Sequence, residues 1–350
     1  MLFAPASFAL HNLENYISSP TLANPGFLIV DPTDGRVLGE NQPDQPRVPA
    51  SVLKLISSTS ALKILGPDRI YKASLWSSDT SNSFVLRGEY DPWITSDWKL
   101  AKENQQTYIP DLILKSTKLK SIKVSYFGVI DKDIEALAKY LKYRKVQASF
   151  VKVDAKAAEA RAKVKLNEIT SLPLSEIVKF AILWSDNAIA DRIGREAALK
   201  AGNPITPEGM TKTFSTVLTS LGVDTKGLFA EDGSGLGKNN RVTARTLVSL
   251  LMQIRKDPTL EPIYDGLPIG GITGTLKNTF IKTAPNAIGH VHAKTGWLND
   301  SVTLAGFVDD GNKEYVFAIL ADEIKGTWKS RWAARDTMDK LLGAIVEGNH

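Results

Sequence analysis

Alternation of apolar and polar positions divides the chain into three stretches of different character. Gly26-Phe27-Leu28-Ile29-Val30 reads as a short strand, Asp31-Pro32-Thr33-Asp34-Gly35 as a turn, and Arg36-Val37-Leu38 as the returning strand. After Pro49, the run from Ser51 through Ile56 to Leu65 predicts a helix, apolar nearly all round, that stops at Gly66-Pro67. Such a helix belongs in a core. Between residues 72 and about 165 the pattern changes to short strand-like pieces, Phe84 to Leu86 and Val124 to Val129, with a helix near 132–145. Helical spacing returns at Leu174, Ile177, Val178, Ala181 and Ile182 and breaks at Trp184-Ser185-Asp186-Asn187. Helices follow at 207–221 and 243–256. The chain closes with strands Val291 to Leu298, Val302 to Val308 and Tyr315 to Ala321, then a helix at 328–346. The pattern predicts an α/β (α+β) fold in which an antiparallel sheet is flanked by helices and interrupted by an insert.

Charge sharpens that division. Residues 115–165 hold 14 Lys/Arg against five Asp/Glu, an excess of +9 in a chain of net charge +5, which leaves −4 elsewhere. The expected organisation is therefore one domain from 1–75 and 166–350, with an inserted accessory domain at 76–165. The lysine-rich insert reads as a solvated face or as a surface for anionic wall polymers. No nucleic-acid motif accompanies it, so nucleic acid is not an expected partner.

Composition removes several chemistries. The 350 residues include no cysteine, which excludes disulfides, thiolate nucleophiles and cysteine-based metal centres. Histidine is scarce: His11, His290, His292 and His350. His290 and His292 read as ordinary strand residues, and the scarcity argues against a Ser-His-Asp hydrolase. No metal or organic cofactor is expected. No apolar run approaches the ~18 residues of a membrane helix. The opening Met1 to Ala9 lacks a basic segment and is too short for a complete signal peptide; it reads as the tail of one or as a plain N-terminus.

Chemistry is concentrated in three motifs in order: Ser51-Val52-Leu53-Lys54, Ser185-Asp186-Asn187 and Lys294-Thr295-Gly296. Their combination is a known signature of penicillin-recognising serine enzymes. Ser-x-x-Lys also occurs at Ser60/Lys63, Ser96/Lys99 and Ser149/Lys152. Context selects Ser51, which follows a Pro-Ala step at a helix start, where free N–H groups favour negative charge. Positions i and i+3 share a helix face, so the Lys54 amine can reach the Ser51 hydroxyl. A serine needs such a base, and a lysine serves only if burial or a neighbouring cation lowers its pKa. Lys294 is a candidate for that cation and for holding a substrate carboxylate. Ser185 and Asn187 fall in a break between helices, where Asp186 has the pattern of an N-cap. Gly296 allows close approach of a ligand to the strand.

With these motifs the sequence resembles the S13 peptidases, the D-Ala-D-Ala carboxypeptidases/endopeptidases of the low-molecular-mass class C penicillin-binding proteins. Leu86 to Pro92, Asp232-Gly233-Ser234-Gly235-Leu236 with Asn240 to Thr243, and Leu267 to Gly271 with Gly274-Thr275-Leu276 match further segments of that family. The resemblance implies a penicillin-binding/serine β-lactamase-like transpeptidase fold. It implies Ser51 as the acylated nucleophile, Lys54 as base, Ser185 as proton relay, and Asn187 as partner of Lys54 and of the peptide amide. Lys294 and Thr295 would hold the terminal carboxylate, and the N–H groups of Ser51 and Trp297 would form the oxyanion hole. The implied substrate is a peptidoglycan stem peptide ending in D-Ala-D-Ala, with β-lactams as covalent inhibitors and the cell envelope, periplasmic or extracellular, as location. The span from Ser51 to Ser185 is shorter than usual for the family, so the insert is expected to be reduced. Trp297 replaces a smaller residue and shares the parity of Thr295, which would crowd the cleft. The alternatives are a serine β-lactamase or esterase on the same scaffold, or a non-catalytic penicillin-binding sensor. A class A β-lactamase would need a deacylating carboxylate, and no Glu-x-x-Leu-Asn segment follows Ser185.

Overall fold

The computed structural model describes residues 13–348, so His11, His350 and the opening residues lie outside it. Strands β1 (Gly26–Val30) and β2 (Val37–Asn41) form the predicted hairpin. A 3₁₀ turn, Ala50–Leu53, leads into helix α1 (Lys54–Leu65). Beyond the insert come α2 (Leu174–Trp184), α3 (Asn187–Lys200), α4 (Pro207–Ser220) and α5 (Ala244–Lys256). Strands β3 (Val291–Trp297), β4 (Val302–Asp309) and β5 (Glu314–Ala321) precede α6 (Trp328–Glu347).

The five strands make one antiparallel sheet in the order β3-β4-β5-β1-β2. Its central strands are buried on both sides. Phe27, Ile29, Leu304, Phe317 and Ile319 alternate onto the face that packs with Ala334, Met338 and Leu342 of α6. The opposite face meets α5. β3 is an edge strand whose outer side is met near its start by Pro268 and Gly270, bonded to Ala293 and Val291.

Helix α1 is as buried as its pattern required, yet less apolar than expected. Ser57, Ser58, Thr59 and Ser60 are all fully buried. Thr59 Oγ1 donates to the Leu55 carbonyl at 2.7 Å, the back-bonding that lets a hydroxyl enter a helix interior.

The chain divides into two compact units, Met1–Pro67 with Val178–His350, and Asp68–Ile177. The second is wider than the 76–165 insert read from charge. Strands Lys72–Ser77 and Lys165–Thr170 pair antiparallel inside it and bring their flanks with them. Its five-stranded sheet is mixed: Ser83–Arg87, Ser121–Phe127 and Gln147–Lys152 run parallel. Helix Asp131–Tyr143 covers this sheet with Ile134, Leu137 and Leu141. The Leu86 to Pro92 segment crosses Gly128 here, with the Tyr90 N–H on the Gly128 carbonyl; a Cβ on either Gly88 or Gly128 would collide with the other's backbone.

Candidate active site

The candidate nucleophile sits on a segment tied to the sheet before the first helix begins. Arg47 is buried and bonds Asp322, Glu323, Gln42 and the Asn24 carbonyl. The Val48 N–H donates to Asp322 at 2.8 Å, and Thr303 Oγ1 donates to the Pro49 carbonyl at 2.7 Å. Ala50 then takes φ +48°, a left-handed conformation uncommon for a residue with a Cβ. This turn aims Ser51 into a cleft of about 470 Å³, which Ser185 and Asn187 also line.

Lys54 is fully buried beneath Ser51. Its Nζ lies 2.8 Å from Ser51 Oγ, 2.7 Å from Asn187 Oδ1 and 2.6 Å from the Ser234 carbonyl. The last two groups can only accept, so two N–H bonds of Lys54 are committed to them. The third position on nitrogen, a proton or a lone pair, faces the serine. Burial pushes the Lys54 amine from 10.5 down to about 7, against the opposing pull of the Asp232 and Asp186 charges. The lowered value favours the free amine, with Ser51 Oγ 2.8 Å away.

Ser185 occupies the bend between α2 and α3 with φ +59°, and Asp186 caps α3 by accepting from the Ile189 N–H at 2.9 Å. The cap starts α3 at Asn187 and turns that side chain to Lys54. The Ser234 carbonyl is held by a loop knotted around Asp232. One carboxylate oxygen of Asp232 accepts from the N–H groups of Ser234 and Gly235, and the other from Gly237, each at 2.6 Å. Burial alone would raise the Asp232 pKa, but these donors outweigh it and hold the carboxyl below its ordinary value. Asn240, fully buried, ties the loop's two ends through the Glu231 N–H and the Gly237 carbonyl. Gly235 passes so close to Ala50 that a Cβ there would strike its carbonyl.

The third motif divides by strand parity. Thr295 and Trp297 face the cleft. Lys294 is fully buried, its Nζ donating to the Thr295 carbonyl at 2.8 Å, and it does not line the cleft. Burial and the neighbouring Lys54 both push its pKa well down. Gly296 does line the cleft, but its small size also serves the protein. A Cβ there would meet Thr303 Oγ1, the Ala50 Cβ and the Pro49 carbonyl.

Edge geometry sets the direction of the Trp297 N–H. The Leu298 N–H bonds the Ser301 carbonyl, so by antiparallel alternation Trp297, opposite Val302, is a non-bonded pair whose N–H turns outward. Ala293, four residues earlier, also points outward and is taken by the Pro268 carbonyl. Ser51, in the first turn of its helix, has its N–H free of intrahelical bonding by position.

Several residues here went unassigned in the sequence reading. Thr275 Oγ1 lies 2.8 Å from Thr295 Oγ1. Trp328 and Trp332 of α6 pack edge-on with Trp297 to make an aromatic wall, and Arg335 lies behind it. The competing Ser-x-x-Lys pairs are elsewhere. Lys63 bridges to Asp257, Lys99 is near Glu103, and Lys152 pairs with Asp131. His290 bonds Asp309 at 2.8 Å and His292 stacks on Tyr264, neither of them at the cleft.

A serine beside a buried amine, with Ser-x-Asn from an interhelical bend and Lys-Thr-Gly on a sheet edge, defines the penicillin-recognising serine enzyme class. The chain belongs within it to the D-Ala-D-Ala carboxypeptidase 3 (S13) family, whose model matches residues 9–142 and 115–345. Among curated proteins, carboxypeptidase DacB of Mycolicibacterium smegmatis is 36% identical over 175 residues, covering 49% of this chain and 38% of that protein. The matched stretches cover between 29% and 38% of the curated relatives' lengths. The fold is that of penicillin binding protein 4 from Haemophilus influenzae, with TM-score 0.77 at 16% identity over 96% of this chain and 99% of the other. A penicillin G-acylated predatory endopeptidase from Bdellovibrio bacteriovorus shares it at TM-score 0.66 and 20% identity over 93% and 92% of the two chains.

Proposed function

We propose that this protein is a serine D-Ala-D-Ala carboxypeptidase/endopeptidase acting on peptidoglycan stem peptides, and that β-lactams acylate Ser51. The observation that carries the reading is the Lys54 amine, buried and shared among Ser51 Oγ, Asn187 Oδ1 and the Ser234 carbonyl. Ser51 Oγ attacks the carbonyl of the penultimate D-Ala as its proton passes to Lys54 Nζ. The developing oxyanion sits between the N–H groups of Ser51 and Trp297. Collapse breaks the C–N bond, and the proton held by Lys54 passes through Ser185 to the departing amine, which restores Lys54 to the free base. Water, deprotonated again by Lys54, then cleaves the ester and frees Ser51. Among the described residues none that lines the cleft is Asp or Glu, which favours a slowly hydrolysed penicilloyl ester over β-lactamase turnover. A labelled penicillin should add one acyl mass to the wild type and none to Ser51→Ala. Label on both, or on neither, overturns the reading, and defined muropeptides with product masses separate carboxypeptidase from endopeptidase action.

The cell envelope is the location this substrate requires. Among the described residues no helix is long and apolar enough to cross a membrane. A further partner is supported by a groove of about 1040 Å³ in the Asp68–Ile177 unit. Lys120, Lys123, Lys139, Lys142 and Lys145 line it, and no carboxylate does. This arrangement suits an anionic wall polymer. Full-length protein should bind poly(glycerol phosphate) with an affinity that falls with salt and is lost in Lys139→Glu/Lys142→Glu. Salt-independent binding, or binding unchanged in that variant, removes this partner.

A further inference from the structure

The cleft has a cationic group that no motif announces. Arg335, on the inward side of α6, is 3% exposed and lines the cleft behind Trp332. Its Nε donates to Asp339 Oδ1 at 2.9 Å, and its guanidinium lies over the Phe280 ring, 5.6 Å from the centroid. Asp339 spends its other oxygen on the Phe280 N–H and the Thr283 hydroxyl, at 3.0 and 2.9 Å. Asp339 thus meets only one edge of the guanidinium. Arg335 Nη2 is buried with no hydrogen-bond partner among the described residues. Burying a charged donor without an acceptor is costly, and proteins keep such an arrangement where a ligand supplies the acceptor. The same wall of the cleft presents the hydroxyl-bearing Thr275, Thr279 and Thr295.

Two features specify the ligand. A guanidinium edge matches a planar carboxylate, which can take two parallel N–H bonds. The burial of Arg335 itself strengthens any ion pair formed there, and Arg331, stacked over Trp297 and Trp328, is held by the neighbouring tryptophans. Lys294, the cation that the motif offers for this task, is fully buried, does not line the cleft and gives its Nζ to the Thr295 carbonyl. We propose that Arg335 is a specificity-determining residue: its free guanidinium edge, with the threonine hydroxyls, receives the C-terminal carboxylate of the leaving residue. This deepens the peptidase reading of the cleft and rests on it. On this assignment Lys294 acts at one remove, through the Thr295 backbone.

Binding can be read without turnover. In Ser51→Ala protein, tryptophan fluorescence follows titration with N-acetyl-D-Ala-D-Ala and with its C-terminal carboxamide. The carboxylate form should bind about 10- to 100-fold more tightly, as charged hydrogen bonds require. Arg335→Gln should bring the ratio close to one, and Arg335→Lys should give an intermediate value. If Arg335→Gln leaves Asp339 unpaired and fails to fold, Arg335→Gln/Asp339→Asn removes both charges together and serves in its place. A carboxylate preference unchanged in a folded variant overturns the assignment. Labelled penicillin on the Ser51-bearing proteins separates the two readings. Labelling of the wild type with an Arg335-independent ratio sinks Arg335 alone. An Arg335-dependent ratio with no labelling keeps the anion site and sinks the peptidase.

Discussion

Acylation of Ser51 should follow the titration of Lys54. An ordinary amine of pKa 10.5 is deprotonated to about three parts in ten thousand at pH 7. With burial pushing Lys54 down to about 7, roughly half of it is free base at that pH. The environment therefore raises the population of the reactive form by a factor on the order of 10³, equivalent to about 4 kcal/mol. The acylation rate constant for a labelled penicillin, measured by quenched flow from pH 5 to 9, should climb tenfold per unit below about pH 7 and level off above pH 8. Lys54→Ala should lower the plateau by about 10²- to 10⁴-fold and abolish the inflection. A wild-type profile flat from pH 5 to 8, an inflection above pH 9, or an inflection that survives in Lys54→Ala would refute the assignment of Lys54 as base.

The same burial should cost stability. Because the folded-state pKa is depressed, the unfolded chain binds more protons between about pH 7 and 10.5, so wild-type stability rises with pH across that window. Urea melts of wild type and Lys54→Met should show the difference between them shifting in favour of wild type by roughly 3 to 4 kcal/mol from pH 7 to pH 10; a constant difference contradicts the depressed pKa. Gly296→Ala should lose about 1 to 3 kcal/mol in the same melts, since its methyl would press on Thr303 and Ala50, and acylation should slow as the Ser51 turn is displaced. Wild-type stability in Gly296→Ala would show that the strand and the turn separate without cost.

Much of the site was legible because its chemistry is local. The Pro-Ala step, the i/i+3 spacing of Ser51 and Lys54, and the break that exposes Asn187 are short-range features. The residues that complete it are not. The Ser234 carbonyl is a backbone group with no side-chain signature, and only the glycine-flanked Asp232 hints that a tight loop is being organised. Arg335 looks like any arginine of an amphipathic helix until α6 is laid on the sheet. Parity puts Thr295 and Trp297 on one side, and both line the cleft, but it could not say that Lys294 is fully buried. Small hydroxyl residues, of which Thr59 bonds back to the Leu55 carbonyl, let α1 be more buried than its composition suggests. In the insert, charge marked the lysine-rich middle, whereas the pairing of Lys72–Ser77 with Lys165–Thr170 is non-local and set wider limits.

The tethering of the Ser51 turn to distant segments has a consequence for when the molecule becomes dangerous. Lys54 depends on groups 133 and 180 residues downstream, and the turn itself is clamped by Thr303 and Asp322, late in the chain. A nascent chain lacking these segments carries the serine but has neither a tuned base nor a fixed turn. On the proposed mechanism, acylation therefore requires the closing strands of the sheet to be in place.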